Sequence, residues 1–454
     1  MNPPILASAG LLACLAHASY AQTDPPPASD AQVEVGTAAT NEPVAEIPKT
    51  RPPIGWLSDP DTPPEDIFEA LVGGKIHLDD RLRFEYADTT GSKPSYAITN
   101  RLRLGYETKA FHGFSALAEF ENVATPDSDL YSVPPAGQGD PARTTVADPR
   151  GTEVNRAYLR FQTDSIGDSL VSLDVKGGRQ RIILDDQRFV GNVGWRQFEQ
   201  TFDSVRVQSD LGIKNLNAQY AYVWQVLRVF GPDGPDWDSQ SHLINVSYGA
   251  IPELKITPFV YLLDFEESSP TNSVNNYGVR LTGDLWRDPD TEQDTFADYE
   301  LSYARQTDAG SNPIDFEVDF FAAQARVTRE GLGSATVGYQ FLGSDDGMVG
   351  FRFPLGTNHK FQGFADQFLT TPATGLQDLY ITGGVEVPFG IKSAVTLHQF
   401  WSDQGGTDLG YEVDFVASKK ITPNWSVLVK AAFFDGHNGQ PDTARVWVQT
   451  TLHF

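Results

Sequence analysis

The chain has 454 residues, and its 34 Lys and Arg against 60 Asp and Glu give a formal charge of -26. Mean hydropathy is -0.32, and after the N-terminus no apolar run approaches the roughly 18 residues that a spanning helix needs, which excludes a polytopic helical membrane protein. The acidic balance excludes a general nucleic-acid partner, and a single cysteine, Cys14, excludes disulfide scaffolds, thiol nucleophiles and Cys-based zinc sites.

Residues 5–16 (ILASAGLLACLA) form a short apolar stretch, followed by small residues at Ser19 and Ala21. This pattern predicts a signal peptide over 1–21, cleaved before Gln22, although its start, MNPP, lacks Lys and Arg. The alternative is a lipobox at Leu11-Leu12-Ala13-Cys14, with Cys14 lipidated; either route exports the chain. Residues 22–66 hold ten prolines and no apolar periodicity. So little apolar surface cannot offset the entropy of ordering, and 22–73 reads as a disordered, Pro- and acid-rich periplasmic tail.

From Gly74 onward the pattern has period 2. Ile76, Leu78, Asp80, Leu82, Phe84 and Tyr86 alternate with Lys75, His77, Asp79, Arg81, Arg83 and Glu85. Each such segment is a strand with one apolar and one ionisable face. Eighteen segments are predicted, starting near residues 75, 96, 114, 154, 170, 199, 216, 242, 254, 276, 295, 316, 332, 378, 393, 409, 425 and 444. Short connections on one side alternate with longer ones on the other, above all 123–153 and 343–377. This predicts an all-β fold, a closed transmembrane antiparallel barrel of about 18 strands over 74–454, in the outer membrane of a Gram-negative bacterium. A soluble sandwich or β-helix also has period 2, but would turn its apolar face inward and need linkers that the chain lacks. The last strand alternates Val446, Val448, Thr450 and Leu452 with polar residues and stops on Phe454. It resembles the signal read by the barrel assembly machinery, which is one expected partner; outer-membrane lipid is another.

An 18-strand lumen is wide enough for water, so the polar strand faces should line a pore. Arg81, Arg83, Arg101, Arg103, Arg156 and Arg160 fall on inward positions and offer bidentate donors to carboxylates. Alternatively each pairs with a lumen acid such as Asp79, Glu85, Glu119, Asp174 or Asp203 and only braces the wall.

Three stretches are distinctive: Gly178-Arg179-Gln180-Arg181 running through IILDDQRFVGNVGWRQFEQTFDSVRV, then HKFQGFADQFLTTPATGLQDLYI at 359–381, and Gly410-Tyr411-Glu412-Val413-Asp414. Together they resemble the alginate-export family of outer-membrane porins, over most of residues 75–454. The resemblance implies an 18-stranded monomeric barrel that passes uronate polymers or related anionic saccharides. It also implies pore arginines that handle carboxylates, with Arg179, Arg181, Arg188 and Arg196 as candidates in the motif. The opposed charges between 179 and 203 predict a loop folded into the lumen, with Asp185, Asp186 and Asp203 as anchors. An outer loop with solvated charges is the alternative.

No H-E-x-x-H, G-x-S-x-G, P-loop or GxGxxG occurs. No enzyme, metal or cofactor is expected. A barrel enzyme acting on polysaccharide or lipid, or a non-conducting receptor or adhesin built on the long loops, are the competing readings.

Overall fold

The computed structural model describes residues 63–454 apart from 168, 288–294 and 311. The segment expected to be a signal peptide, and nearly all of the expected tail, lie outside the described residues. One segment assigned to the tail is ordered: Ile67–Val72 forms a short helix, α1, whose N-terminus is capped by the Asp66 carboxylate accepting from Glu69 N–H at 2.7 Å. Tyr106 fastens it to the barrel, donating to Leu71 O and accepting from Gly74 N–H.

Eighteen antiparallel strands follow: β1 Lys75–Thr89, β2 Ser95–Glu107, β3 Phe114–Ala124, β4 Gly151–Thr163, β5 Leu173–Gln180, β6 Thr201–Ser209, β7 Leu216–Leu227, β8 Trp237–Ile251, β9 Leu254–Leu263, β10 Val274–Arg287, β11 Thr295–Asp308, β12 Glu317–Arg329, β13 Gly333–Leu342, β14 Leu376–Val387, β15 Ile391–Trp401, β16 Asp408–Thr422, β17 Trp425–Gly436 and β18 Thr443–His453. Each pairs with its chain neighbours, and β18 pairs back onto β1 from Asp79↔His453 to Thr89↔Thr443. The sheet is closed, so no edge is left unpaired in lipid. All eighteen predicted strands are present. The largest shift in a start is at β8, which begins at Trp237.

Period 2 sorts the two faces. Leu82 is 45% exposed on the outside, while Arg81 and Arg83 are buried inside. The inner face is not wholly polar, however. Phe259, Tyr261, Phe320, Phe400, Phe434 and Trp447 point inward and are buried with Phe189, Trp195, Phe351 and Phe364 in one apolar core within the barrel. Simple alternation assigns the inner face to water. Here inserted loops bring their own apolar surface and cover these rings.

The connections explain how. On one rim the turns are short, from 252–253 to 164–172. On the other rim three long loops, 125–150, 181–200 and 343–375, enter the lumen. The middle one departs just beyond Gly178, which sits at φ +125°; a Cβ there would meet Ala157 O at 2.4 Å, so only glycine fits the bend.

Candidate functional site

Loop 181–200 lies against the inner wall of β1 and β2. Arg81 Nη1 donates to the carbonyls of Gly194, Trp195 and Arg196 at 3.0–3.3 Å. Arg83 reaches Trp195 O, Gln449 and Asp148. Gln197 donates to Thr99 Oγ1 at 2.8 Å, and its own N–H bonds Asp148 of loop 125–150. Loop 343–375 then packs on the first: Gly191 N–H donates to Leu355 O at 2.9 Å, Thr357 N–H to Gln187 O, and Arg196 pairs with Asp366. The loop thus folds inward, as its density of opposed charges suggests.

Most of the candidate arginines are consumed in this assembly. Arg101 pairs with Asp79, and Arg103 with Glu121 at 2.7 Å. Arg156 makes a bidentate pair with Glu119 at 2.8–2.9 Å. Arg181 grips Glu199, and Arg160 makes a bidentate pair with Asp174. Arg196 reaches both Asp366 and Glu85. Arg179 pairs with Asp203 at 2.9 Å, and by register these two share the outward face of Ala157 and Val205. Nine of the ten arginines therefore stand away from the central cavity and brace loops and wall. Of the three acids expected as anchors, two hold the loop and one does not. Asp203 serves the wall and not the loop. Asp185 accepts from Asn245 Nδ2 of the wall at 2.8 Å, and Asp186 offers its carbonyl to Lys360 Nζ of loop 343–375 at 3.0 Å, so both tie loop 181–200 in place.

Glu199 is the knot of the filled side. It accepts from Arg181 Nε, Asn155 Nδ2 and Asn192 Nδ2 at 2.7 Å, with Arg103 at 3.5 Å. Burial opposes its charge, but Arg103 and Arg181 outweigh burial and hold the carboxyl well below the usual carboxylate range.

The open space lies on the other side, against β9 to β16. It is a cavity of about 620 Å³ bordered by Asp185, Asp186, Arg188, Arg280, Glu300, Lys360, Gln362, Asp378 and Tyr380, among others. Its wall charges are mostly paired: Arg280 with Glu300 at 2.8 Å and Arg326 with Asp298 at 2.9 Å. Arg188 differs. It is 3% exposed, and it lies over Phe353 at 3.8 Å and Phe361 at 4.5 Å. Its Nη1 donates to Gln362 Oε1 at 2.8 Å, while Nε and Nη2 have no hydrogen-bond partner. It makes no ion pair among the described residues. Burial pulls its guanidinium down to about 9, against the pull of Asp186, and it stays cationic at neutral pH.

Sequence reasoning singled out Arg188 but missed Glu300, Lys360, Gln362, Asp378 and Tyr380. Arg280 was visible on a polar strand face. Lys360 sat inside a distinctive stretch without a pattern to mark it.

A family model described as "Alginate export" matches residues 76–341. The chain belongs to the alginate-export family. That family and the barrel together make this a porin-type channel protein. No curated protein matches the chain. Solved structures share its fold. OccAB2 of Acinetobacter baumannii is 14% identical with a TM-score of 0.60, over 85% of this chain and 99% of that one. OccK8 (OprE) of Pseudomonas aeruginosa is 13% identical with a TM-score of 0.61, over 85% and 99%. The outer membrane protein OprD of Pseudomonas aeruginosa is 14% identical with a TM-score of 0.57, over 84% and 94%.

Proposed function

We propose that this member of the alginate-export family is a diffusion channel of the Gram-negative outer membrane that passes small carboxylated saccharides of the uronate class. It acts by binding and passage, with no catalysis. Arg188 carries this reading. Its Nε and Nη2, the guanidinium edge that donates to a carboxylate in a bidentate grip, are buried without a partner, and the residue borders the cavity, so a carboxylate that displaces the covering rings can reach them. Gln340, Gln362 and Tyr380 supply amide and hydroxyl groups for sugar hydroxyls, and Phe361 an apolar face. Asp185, Asp186 and Glu300 repel a carboxylate that leaves Arg188, so it passes on rather than staying bound. A cavity of about 620 Å³ falls within the ~300–1,000 Å³ of small-molecule sites, which favours a single sugar or short oligosaccharide over a threaded polymer.

The test is a planar bilayer holding the full chain, with a uronic acid and a neutral hexose as paired blockers. Arg188→Ala should weaken block by the uronic acid about tenfold, the loss of roughly 1.5 kcal/mol of charged hydrogen bonding. Block by the hexose should be unchanged. Equal weakening for both sugars, or none for either, refutes a carboxylate site at Arg188. A preference for organic cations over both would mean that the cavity acids govern passage.

A further inference from the structure

One helix stands outside the closed sheet. α1 is the only α-helix among the described residues, and it lies immediately before β1. Its fastenings place it on the outer side of the wall. Tyr106, which holds it by hydrogen bonds to Leu71 and Gly74, points outward on β2 in phase with the exposed Leu102 and Leu104. Lys109, just past the end of β2, donates its N–H to Ala70 O at 3.0 Å. The chain then turns into β1 at Gly74, where a Cβ would meet the Tyr106 ring at 2.8 Å.

The helix sorts its residues. At about 100° per residue, Ile67, Phe68 and Leu71 share one face, and Glu69 and Ala70 share the opposite one. The Glu69–Ala70 side is turned to the barrel: Ala70 is buried, and Glu69 Oε1 lies 4.0 Å from Lys109 Nζ. The other side is bare. Ile67, Phe68 and Leu71 are 63%, 70% and 54% exposed. Water disfavours three large apolar side chains gathered on one face.

The wall beside α1 shows what meets that face. In the β2–β3 register Tyr106 stands opposite Ala118, and Phe114 lies four residues further toward the short-turn rim. Phe114 is exposed on the outside, with its ring 4.8 Å from that of Phe161 on β4. On the other flank Phe454 pairs with Leu78 through the backbone and exposes its ring. Outward aromatic residues mark the boundary between acyl chains and water. Here they reach at least as far toward the rim as Tyr106, which holds α1. The helix is therefore level with the apolar belt and not beneath it.

We infer that α1 is an interfacial anchor, with Ile67, Phe68 and Leu71 inserted among the acyl chains of the periplasmic leaflet beside β1 and β2. Glu65 and Asp66, both exposed, stay in the headgroup water. Lipid is the occupant because this face continues the barrel's own lipid-contacting surface and carries no charge or hydrogen-bonding group of its side chains for a protein partner to read. A free helix of this length would neither form nor bind a bilayer. Tyr106, Lys109 and the covalent link to β1 already hold this one in place. The anchor fixes the chain's approach to the barrel on the outer side of the rim, clear of the lumen, and it is independent of the solute.

The test uses the full chain with Cys14→Ala, which leaves no other cysteine, refolded into phosphatidylcholine vesicles. Bimane is attached at Phe68→Cys on α1 or at Glu330→Cys in the exposed turn between β12 and β13. A phosphatidylcholine spin-labelled near the top of its acyl chain should quench the first label about threefold more than the second, and aqueous iodide should quench the second more than the first. Adding Ile67→Asp and Leu71→Asp should bring lipid quenching at Phe68→Cys down to the Glu330→Cys level, while heat-modifiable gel mobility shows a folded barrel. If that chain does not assemble, Ile67→Asp alone should act in the same direction. Equal lipid quenching at the two positions, or quenching unmoved by the aspartates, overturns the proposal. So does a Phe68→Cys label shielded from iodide without lipid quenching, because protein then covers the face.

Discussion

Replacing Glu199 with alanine is expected to destabilise the barrel by about 3–5 kcal/mol and to raise its conductance. That range is what breaking a buried ion pair on one side costs, because the surviving charge keeps its desolvation penalty and loses its partner. Here two cations, Arg103 and Arg181, lose the same acid, and Asn155 and Asn192 lose an acceptor. The site is fully buried, so water cannot readily replace the carboxylate. Glu199 also closes loop 181–200 immediately before β6 begins, so its loss frees the loop from the wall at that end. Glu199→Gln keeps the shape and one acceptor and should cost clearly less. The measurements are the urea midpoint followed by gel mobility, and single-channel conductance in a planar bilayer. A Glu199→Ala barrel with the wild-type midpoint and conductance would show that the loop is held by Arg81, Gln197 and Gly191 without it.

The wall was legible because a strand writes its two faces into every second residue. Arg81, Arg83 and Arg101 can be placed inside from the sequence alone, because their neighbours Leu82 and Leu102 must face lipid. Their partners could not be read the same way. Arg103 stands opposite Glu121, Arg156 opposite Glu119, and Asp298 opposite Arg326. Each pairing depends on register, and a slip of one residue would exchange faces and break it. Register is set by turns whose lengths the pattern leaves open by a few residues.

The interior was less legible for a different reason. Arg196 meets Asp366, and Gly191 meets Leu355, across more than 160 residues of chain. Nothing local in either loop encodes the other. Phe259, Phe320 and Trp447 look misplaced on an inward face until loop residues such as Phe189, Phe353 and Trp195 cover them. The dense charges between 179 and 203 did point to an inserted loop. They do not by themselves mark the proposed solute site, because the same density lets arginines find acids within the protein. What sets Arg188 apart from the other candidates appears only in three dimensions, where its guanidinium stacks on rings and makes no ion pair among the described residues.

The clamp on loop 343–375 should loosen on mild acidification, through His359. This side chain is buried. Its Nδ1 donates to Asp366 Oδ1 at 2.6 Å, and its Nε2 accepts from Lys430 Nζ at 2.8 Å. Trp195 stacks on the ring at 4.9 Å, and Phe364 and Trp447 close the remaining sides. Protonating Nε2 would set an imidazolium against the Lys430 ammonium in a dry site. Burial, joined by Lys430 and Arg196, pulls His359 down to about 3 although Asp366 pulls the other way. The unfolded chain takes up this proton near pH 6.5 and the folded protein does not. Between those values the unfolded state binds more protons, so stability falls as pH falls. Asp366 and Glu199 do not confuse this window. Both are held below their ordinary values, and they withdraw stability only below about pH 4, where the unfolded carboxyls protonate. Other buried carboxyls in the lumen take up protons over the same range, so the share of His359 is read against a variant: from pH 7 to pH 4.5 the wild-type urea midpoint should fall relative to that of His359→Gln. His359→Gln cannot titrate yet can still donate to Asp366, so it should start lower at pH 7, and its gap to the wild type should narrow as pH falls to 4.5. A gap that stays constant from pH 7 to pH 4.5 would show that His359 does not titrate in this window and leave it a packing residue.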